Sequence, residues 1–142
     1  MELKIQSQTE KLIYVREFVS EAARKFGFDE EAVSKIALAV DEACTNVIKH
    51  SYEYAPNREI EVVIHTKGTA FEIVIIHQGK SFDPAAVKSP DMKEYLSHFR
   101  RGGLGMHLMR SLMDTVEYRT TGSGRRNEVH MVKRLPVGAE RP

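Results

Sequence analysis

The spacing of apolar residues along the chain predicts a small α+β protein. Two stretches carry apolar residues three and four positions apart, which is the spacing of one helix face. They predict helices over 12–26 and 30–51, and a similar stretch predicts a third over 104–112. Alternating stretches predict five strands, over 3–7, 59–66, 70–77, 115–121 and 127–134. This order favours a two-layer sandwich, with helices on one face of a mixed, mostly antiparallel sheet.

The apolar pattern is lost between Gln78 and Gly103, where glycines, prolines and scattered charges follow one another. Loops of this length in compact domains are usually either functional lids or disordered segments. We therefore expect one domain over residues 1–135, with a lid loop at about 80–103 and a C-terminal tail over 136–142.

Composition excludes several classes of protein. The 142 residues carry 21 Lys and Arg against 20 Asp and Glu, so the net charge of +1 gives no support for direct nucleic-acid or membrane-surface binding. Cys44 is the one cysteine and lies on the apolar stripe of the second helix, which excludes an internal disulfide and predicts a buried, inert thiol. Neither a signal peptide nor a membrane-spanning apolar run is found in the sequence, so a cytoplasmic location is expected.

The second predicted helix also carries a polar pair. Glu42 and Asn46 are four positions apart and therefore lie one turn above each other on one face. A carboxylate can accept a proton, and an amide oxygen can bind a hard cation such as Mg²⁺. An isolated pair of this kind is also typical of a solvated helix face, so its interpretation depends on the rest of the chain.

Two glycine-containing segments lie downstream. The first, residues 77–83, follows an apolar strand, and its Gly79 allows close approach of a ligand to the backbone. The second, residues 100–107, places Gly102, Gly103 and Gly105 just before a helix, where free N–H groups and the helix dipole favour phosphate. The alternatives are a strand-ending turn for the first segment and a hinge with a helix start for the second.

Together, residues 41–52, 79–83 and 102–114 closely resemble the N box and the two glycine boxes of the anti-sigma-factor serine kinases. These bacterial proteins belong to the ATPase superfamily that includes gyrase and the histidine kinases. Residues 124–134 are similar to the last strand of that family, so the resemblance covers nearly the whole chain. It implies a Bergerat-type ATP-binding fold, with ATP held between the helices and the long loop.

The resemblance also implies roles for individual residues. Glu42 would be the general base that activates a serine hydroxyl on a partner protein, and Asn46 would bind Mg²⁺ beside the phosphates. The remaining nucleotide contacts would come from the two glycine boxes and the lid, where Arg101 or its neighbour Arg100 would face phosphate. These contacts are His77, Gly79, Arg101, Gly103, Leu104 and Gly105.

The implied function is that of an anti-sigma factor that binds ATP and Mg²⁺. Such a protein sequesters a sigma factor, phosphorylates a serine of an anti-anti-sigma (STAS-type) protein, and forms a homodimer. One position departs from the family pattern, because His77 stands where an aspartate normally accepts a hydrogen bond from the adenine amino group. The alternative is therefore a partner-binding switch of the same fold in which His77 impairs nucleotide binding and catalysis is weak or lost.

Overall fold

The computed structural model describes residues 1–78, 105–121 and 126–136. Its first half contains β1 (Glu2–Gln6), a short 3₁₀ turn (Thr9–Lys11), α1 (Leu12–Phe26) and α2 (Glu30–Asn46), which continues into a π-helical segment (Val47–Ser51). After this come β2 (Glu59–Lys67), β3 (Ala70–His77), α3 (Gly105–Leu112), β4 (Thr115–Thr121) and β5 (Arg126–Arg134). The lid loop, the residue 122–124 turn and the end of the tail lie outside the described residues.

The five strands form one sheet in the order β1-β2-β3-β5-β4. Each of the four pairings between described strands is antiparallel. The predicted hairpin is confirmed: β2 and β3 pair along their length, and Lys67 faces Ala70 across a two-residue turn. Gly68 in that turn has φ of +58°, a conformation that a side chain would disfavour.

The helix boundaries follow from local capping. The Asp29 carboxylate accepts a hydrogen bond of 2.8 Å from the Ala32 N–H, which satisfies one of the free donors at the start of α2. Gly27 ends α1 in the left-handed conformation, with φ of 118°, and its N–H bonds the Arg24 carbonyl at 3.1 Å. The turn between the two helices is therefore fixed by these residues.

The core lies between the helices and the face of the sheet that they cover. The apolar stripes predicted on α1 and α2 are largely buried, and alternate residues of β2 and β3 bury against them. Phe71 of β3, for example, packs against Phe26 at the end of α1, with ring centroids 5.5 Å apart. The α+β fold class is thus confirmed, and the sheet is antiparallel throughout its described part rather than mixed.

Candidate functional site

The polar pair of α2 lies where this helix changes its geometry. Glu42 and Asn46 occupy the last turns of the α-helix, and the chain then forms the π-helical segment, in which the Tyr52 N–H donates to the Val47 carbonyl five residues back. Hydrogen bonds from residue i to residue i+5 widen the turn relative to an α-helix. The side chains of Asn46 and Ser51 both line one pocket.

The opposite wall of this pocket is built by two strand ends. His77 is the last residue of β3 and lies directly opposite Asn127 of β5 in the antiparallel register. Both side chains lie on the inward-facing, largely apolar rows of their strands, and each is buried, with 4% and 5% exposure respectively. The sheet therefore presents two polar groups at the mouth of an apolar core.

The pocket is partly open to solvent. Its walls combine apolar side chains with a few polar groups, which is typical of sites for small organic ligands. Its lining consists of Ala43, Asn46, Val47, Ser51, His77, Met109, Tyr118, Arg119, Thr120, Asn127, Glu128 and Val129.

Three buried polar atoms of this lining have no hydrogen-bond partner within the described part of the chain. They are Asn46 Nδ2, Ser51 Oγ and His77 Nδ1. Leaving a buried polar group unpaired typically costs about 1–3 kcal/mol, and native structures contain few such groups. All three lie around one cavity that opens to solvent, where water or a polar ligand can complete their hydrogen bonds.

His77 is neutral at physiological pH because burial lowers its pKa to about 4. Its ring meets the Tyr52 ring edge to face, with centroids 6.0 Å apart. The Tyr52 hydroxyl donates to the Glu59 carbonyl and accepts from the Gln78 N–H at 3.0 Å, which ties the π-helical segment to the end of β3. The orientation of His77 is therefore supported by a fixed neighbour.

Glu42 differs from the neighbouring Asp41 in its surroundings. Asp41 is paired with Arg16 at 2.5 Å, whereas Glu42 has neither a hydrogen bond nor an ion pair to any described residue. Burial raises the pKa of Glu42, the Asp41 charge raises it further, and Lys49 opposes the shift. A carboxylate with a raised pKa and no partner is a stronger base than an ordinary surface glutamate.

The structure brings together some of the residues predicted from the sequence. Asn46 and His77 line the same pocket, and Glu42 lies one helical turn before Asn46. Gly105 begins α3. The predicted contacts Gly79, Arg101, Gly103 and Leu104 lie outside the described residues, so their roles stay predictions.

Two pocket residues, Ser51 and Asn127, were not singled out by the sequence analysis. Asn127 carried a usable signal, because it is a polar residue at the inward position of an alternating strand. Ser51 carried none, since its position depends on the π-helical segment.

The chain was compared with models of protein families. Residues 5–133 match the model described as the histidine kinase-like ATPase domain. The chain belongs to this family. Among curated proteins it is similar to the serine-protein kinase RsbW of Bacillus subtilis, with 31% identity over 121 residues, which are 82% of this chain and 75% of the relative. RsbW of Bacillus velezensis is 32% identical over 122 residues, which are 82% of this chain and 76% of that protein.

Solved structures show the same fold. A Mycobacterium tuberculosis protein whose structure comprises RsbU and RsbW domains superposes with a TM-score of 0.65 and 15% identity, over 95% of this chain and 31% of that one. The histidine kinase AdeS of Acinetobacter baumannii has a TM-score of 0.50 and 11% identity, over 95% of this chain and 68% of that one.

These matches confirm the resemblance drawn from the three motifs: this histidine kinase-like ATPase domain is a relative of the anti-sigma serine kinases. In the part of the chain that the structure describes, no helix has both the length and the apolar character needed to cross a membrane.

Proposed function

We propose that the protein binds ATP with Mg²⁺ in the described pocket and acts as a serine-protein kinase. The observation that carries this proposal is the convergence of three unpartnered buried polar atoms, from Asn46, Ser51 and His77, on one cavity. A purine has apolar faces and a hydrogen-bonding edge, so it fits a cavity with apolar walls and unpaired polar groups. The similarity to RsbW kinases over 82% of the chain supports the same assignment.

In this proposal each residue has a defined task. ATP supplies the phosphoryl group, whose transfer depends chiefly on positioning and on neutralisation of charge. Asn46 offers an amide oxygen to Mg²⁺, an ion that usually takes only one or two protein ligands and obtains the others from phosphate and water. The sequence motifs assign the other nucleotide contacts to Gly79, Arg101, Gly103, Leu104 and Gly105.

Glu42 is proposed to hold the proton of the attacking serine hydroxyl. It has the properties of such a base: no partner among the described residues, partial burial and a raised pKa. Asp41 is unsuited to this role because its carboxylate is engaged by Arg16.

The proposed partners follow from the family. We expect the protein to sequester a sigma factor, to phosphorylate a serine of an anti-anti-sigma protein of the STAS type, and to work as a homodimer in the cytoplasm. Light scattering of the purified protein tests the dimer, and a single protomer mass would contradict it.

A second candidate function is favoured by His77. A neutral imidazole lacks the charge of a carboxylate, and a hydrogen bond to a charged group is typically worth about 1.5–3 kcal/mol. In the second candidate this loss weakens nucleotide binding, and the protein acts as a partner-binding switch without kinase turnover. Calorimetric titration with ATP and Mg²⁺ separates the two: micromolar binding supports the kinase, and absence of binding at millimolar ATP supports the switch.

The proposed base is tested by comparing Glu42→Gln with the neighbouring Asp41→Asn. Both changes remove one carboxylate and keep the side-chain shape, but only the first removes the proposed base. Labelled ATP and STAS-type proteins of the same genome serve as substrates, with phosphoserine detected by mass spectrometry. We expect Glu42→Gln to reduce transfer by about 100-fold or more while ATP still binds. Equal transfer rates in the two variants would contradict the assignment.

A further inference from the structure

The interior of the pocket is lined by polar groups without a fixed charge. Its two charged lining residues are engaged elsewhere: Arg119 bonds Glu117 at 2.7 Å, and the Glu128 carboxylate is held by Arg126 and His130, each at 2.7 Å. The unpartnered atoms within the pocket are the Asn46 amide nitrogen, the Ser51 hydroxyl oxygen and His77 Nδ1. The amide nitrogen only donates, whereas the hydroxyl and the neutral imidazole can each donate or accept a hydrogen bond.

His77 is the most adaptable of the three. A neutral imidazole has one N–H donor and one acceptor nitrogen, and a hydrogen bond to one nitrogen normally decides which is which. No described residue bonds Nδ1, so in this part of the structure the tautomer is not fixed through that nitrogen. Burial lowers the pKa of His77 to about 4, which preserves the acceptor at neutral pH.

We infer that the His77 imidazole, in one tautomer or the other, forms a hydrogen bond with the base edge of the bound nucleotide. The pocket then accepts both 6-amino and 6-oxo purine nucleoside triphosphates. This inference rests on the proposed nucleotide-binding function. When Nδ1 is the acceptor, it can bond an exocyclic amino group, as in adenine. When Nδ1 carries the proton, it can donate to an exocyclic oxygen, as in hypoxanthine. A carboxylate at the same position only accepts, so it would favour the amino purine and repel the oxo purine.

The other groups of the pocket do not oppose this change of ligand. The Ser51 hydroxyl can rotate to donate or to accept, and Asn46 is assigned to Mg²⁺ rather than to the base. The apolar side chains of Ala43, Val47 and Met109 line the pocket, and apolar surface does not distinguish purines by the substituent on their edge. Discrimination at the six position therefore depends on His77.

The test is calorimetric titration of the full chain with ATP and with ITP, each with Mg²⁺, at pH 7.5. These nucleotides share the sugar, the triphosphate and the purine ring, and differ in the amino or oxo group and the adjacent ring proton. We expect the native protein to bind them with Kd values within about tenfold, because exchanging one neutral hydrogen bond for another changes little. In His77→Asp, preference for ATP should increase by about 10- to 150-fold.

His65→Asp is the matched control. It makes the same chemical change at an exposed residue of β2, which does not line the pocket, and it should leave the ATP-to-ITP ratio unchanged. His77→Gln, whose amide also donates and accepts, should keep the ratio near that of the native protein. This variant supplies the comparison if His77→Asp does not fold.

The outcomes separate this inference from the proposed function. Strong preference of the native protein for ATP, equal to that of His77→Asp, would overturn the relaxed specificity and leave the nucleotide-binding function intact. Absence of binding of both nucleotides to the native protein and to all variants would overturn the nucleotide-binding function and the inference with it. Similar affinities in the native protein, with selectivity gained by the aspartate, would support both.

Discussion

Replacing His77 with glutamine should make the stability of the protein less sensitive to acid. In the native protein the imidazole is buried and its pKa falls from 6.5 to about 4. The unfolded chain therefore binds a proton at pH values where the folded protein does not. Unfolding takes up this proton, so stability must fall as the pH drops from about 6.5 towards 4. Glutamine does not titrate and removes this contribution.

The size of the effect follows from the two pKa values. With 6.5 in the unfolded chain and about 4 in the folded protein, the His77 contribution to the loss of stability between pH 7 and pH 5 is about 2 kcal/mol. It approaches about 3 kcal/mol below pH 4. Because a domain typically has only about 5–15 kcal/mol of stability, a single buried histidine would account for a large share of acid sensitivity.

The assay is urea unfolding of both proteins at pH 7 and pH 5, with the free energy of unfolding extrapolated to water. All other titrating groups are shared, so the difference between the two pH-dependent losses reports His77 alone. The native protein should lose about 2 kcal/mol more than His77→Gln over this interval. As a control, the slope of the unfolding free energy against urea concentration must be the same in the two proteins. A difference in this slope would mean that their unfolded states differ.

Two results would refute this reasoning. The first is the same loss of stability in both proteins between pH 7 and pH 5. The second comes from the native protein alone: an NMR titration of the His77 ring with a midpoint near 6.5 would show that burial does not lower its pKa. The second measurement remains decisive if glutamine is poorly tolerated at this position.

Three further predictions concern neighbours of His77. Asn46→Ala should weaken ATP binding by about tenfold or more when Mg²⁺ is present and change it little when Mg²⁺ is absent. Titrations with and without Mg²⁺ check this. If the native protein binds ATP equally well with and without Mg²⁺, Asn46 has no metal role. Ser51→Ala removes an unpaired buried hydroxyl, so urea unfolding should show no loss, or a gain of up to about 1 kcal/mol, without nucleotide. Tyr52→Phe removes the two hydrogen bonds that the Tyr52 hydroxyl makes with the backbone. It should lower the free energy of unfolding by about 1–3 kcal/mol, measured by urea unfolding. No measurable loss would show that this hydroxyl does not secure the end of β3.

Apolar periodicity predicted the helical regions and the strands of the described residues, but not the change of the second helix to π-helical geometry at Val47. The stripe on α1 and the alternation in β2 and β3 are direct consequences of packing against one core, so they are visible in the sequence. The strand order was not predicted beyond the β2–β3 hairpin. The pairing of β3 with β5 joins residues that are 50 or more positions apart, and no local pattern encodes such a contact.

The site was predicted in part for the same physical reasons. Glu42 and Asn46 were identified because helical spacing places them on one face, and His77 because it holds the position of the aspartate in the first glycine box of the family that the chain resembles. Asn127 could have been found from the strand pattern, since it is a polar residue on the inward face of its strand. Ser51 could not have been found, because in a regular α-helix its position relative to Asn46 would be different.

The unpartnered polar atoms also bear on the choice between a kinase and a partner-binding switch. Each of the three atoms, in Asn46, Ser51 and His77, costs about 1–3 kcal/mol when the pocket holds no partner for it. A protein that used only its outer surface could replace these residues with apolar ones and gain stability. A protein that binds a nucleotide recovers the cost on binding, and ligand at 100 times its Kd adds about 2.7 kcal/mol. The polar pocket therefore costs stability in a protein that binds nothing there, and the cost is recovered in a protein that binds a nucleotide. This argument favours nucleotide binding, while phosphoryl transfer is tested separately by Glu42→Gln.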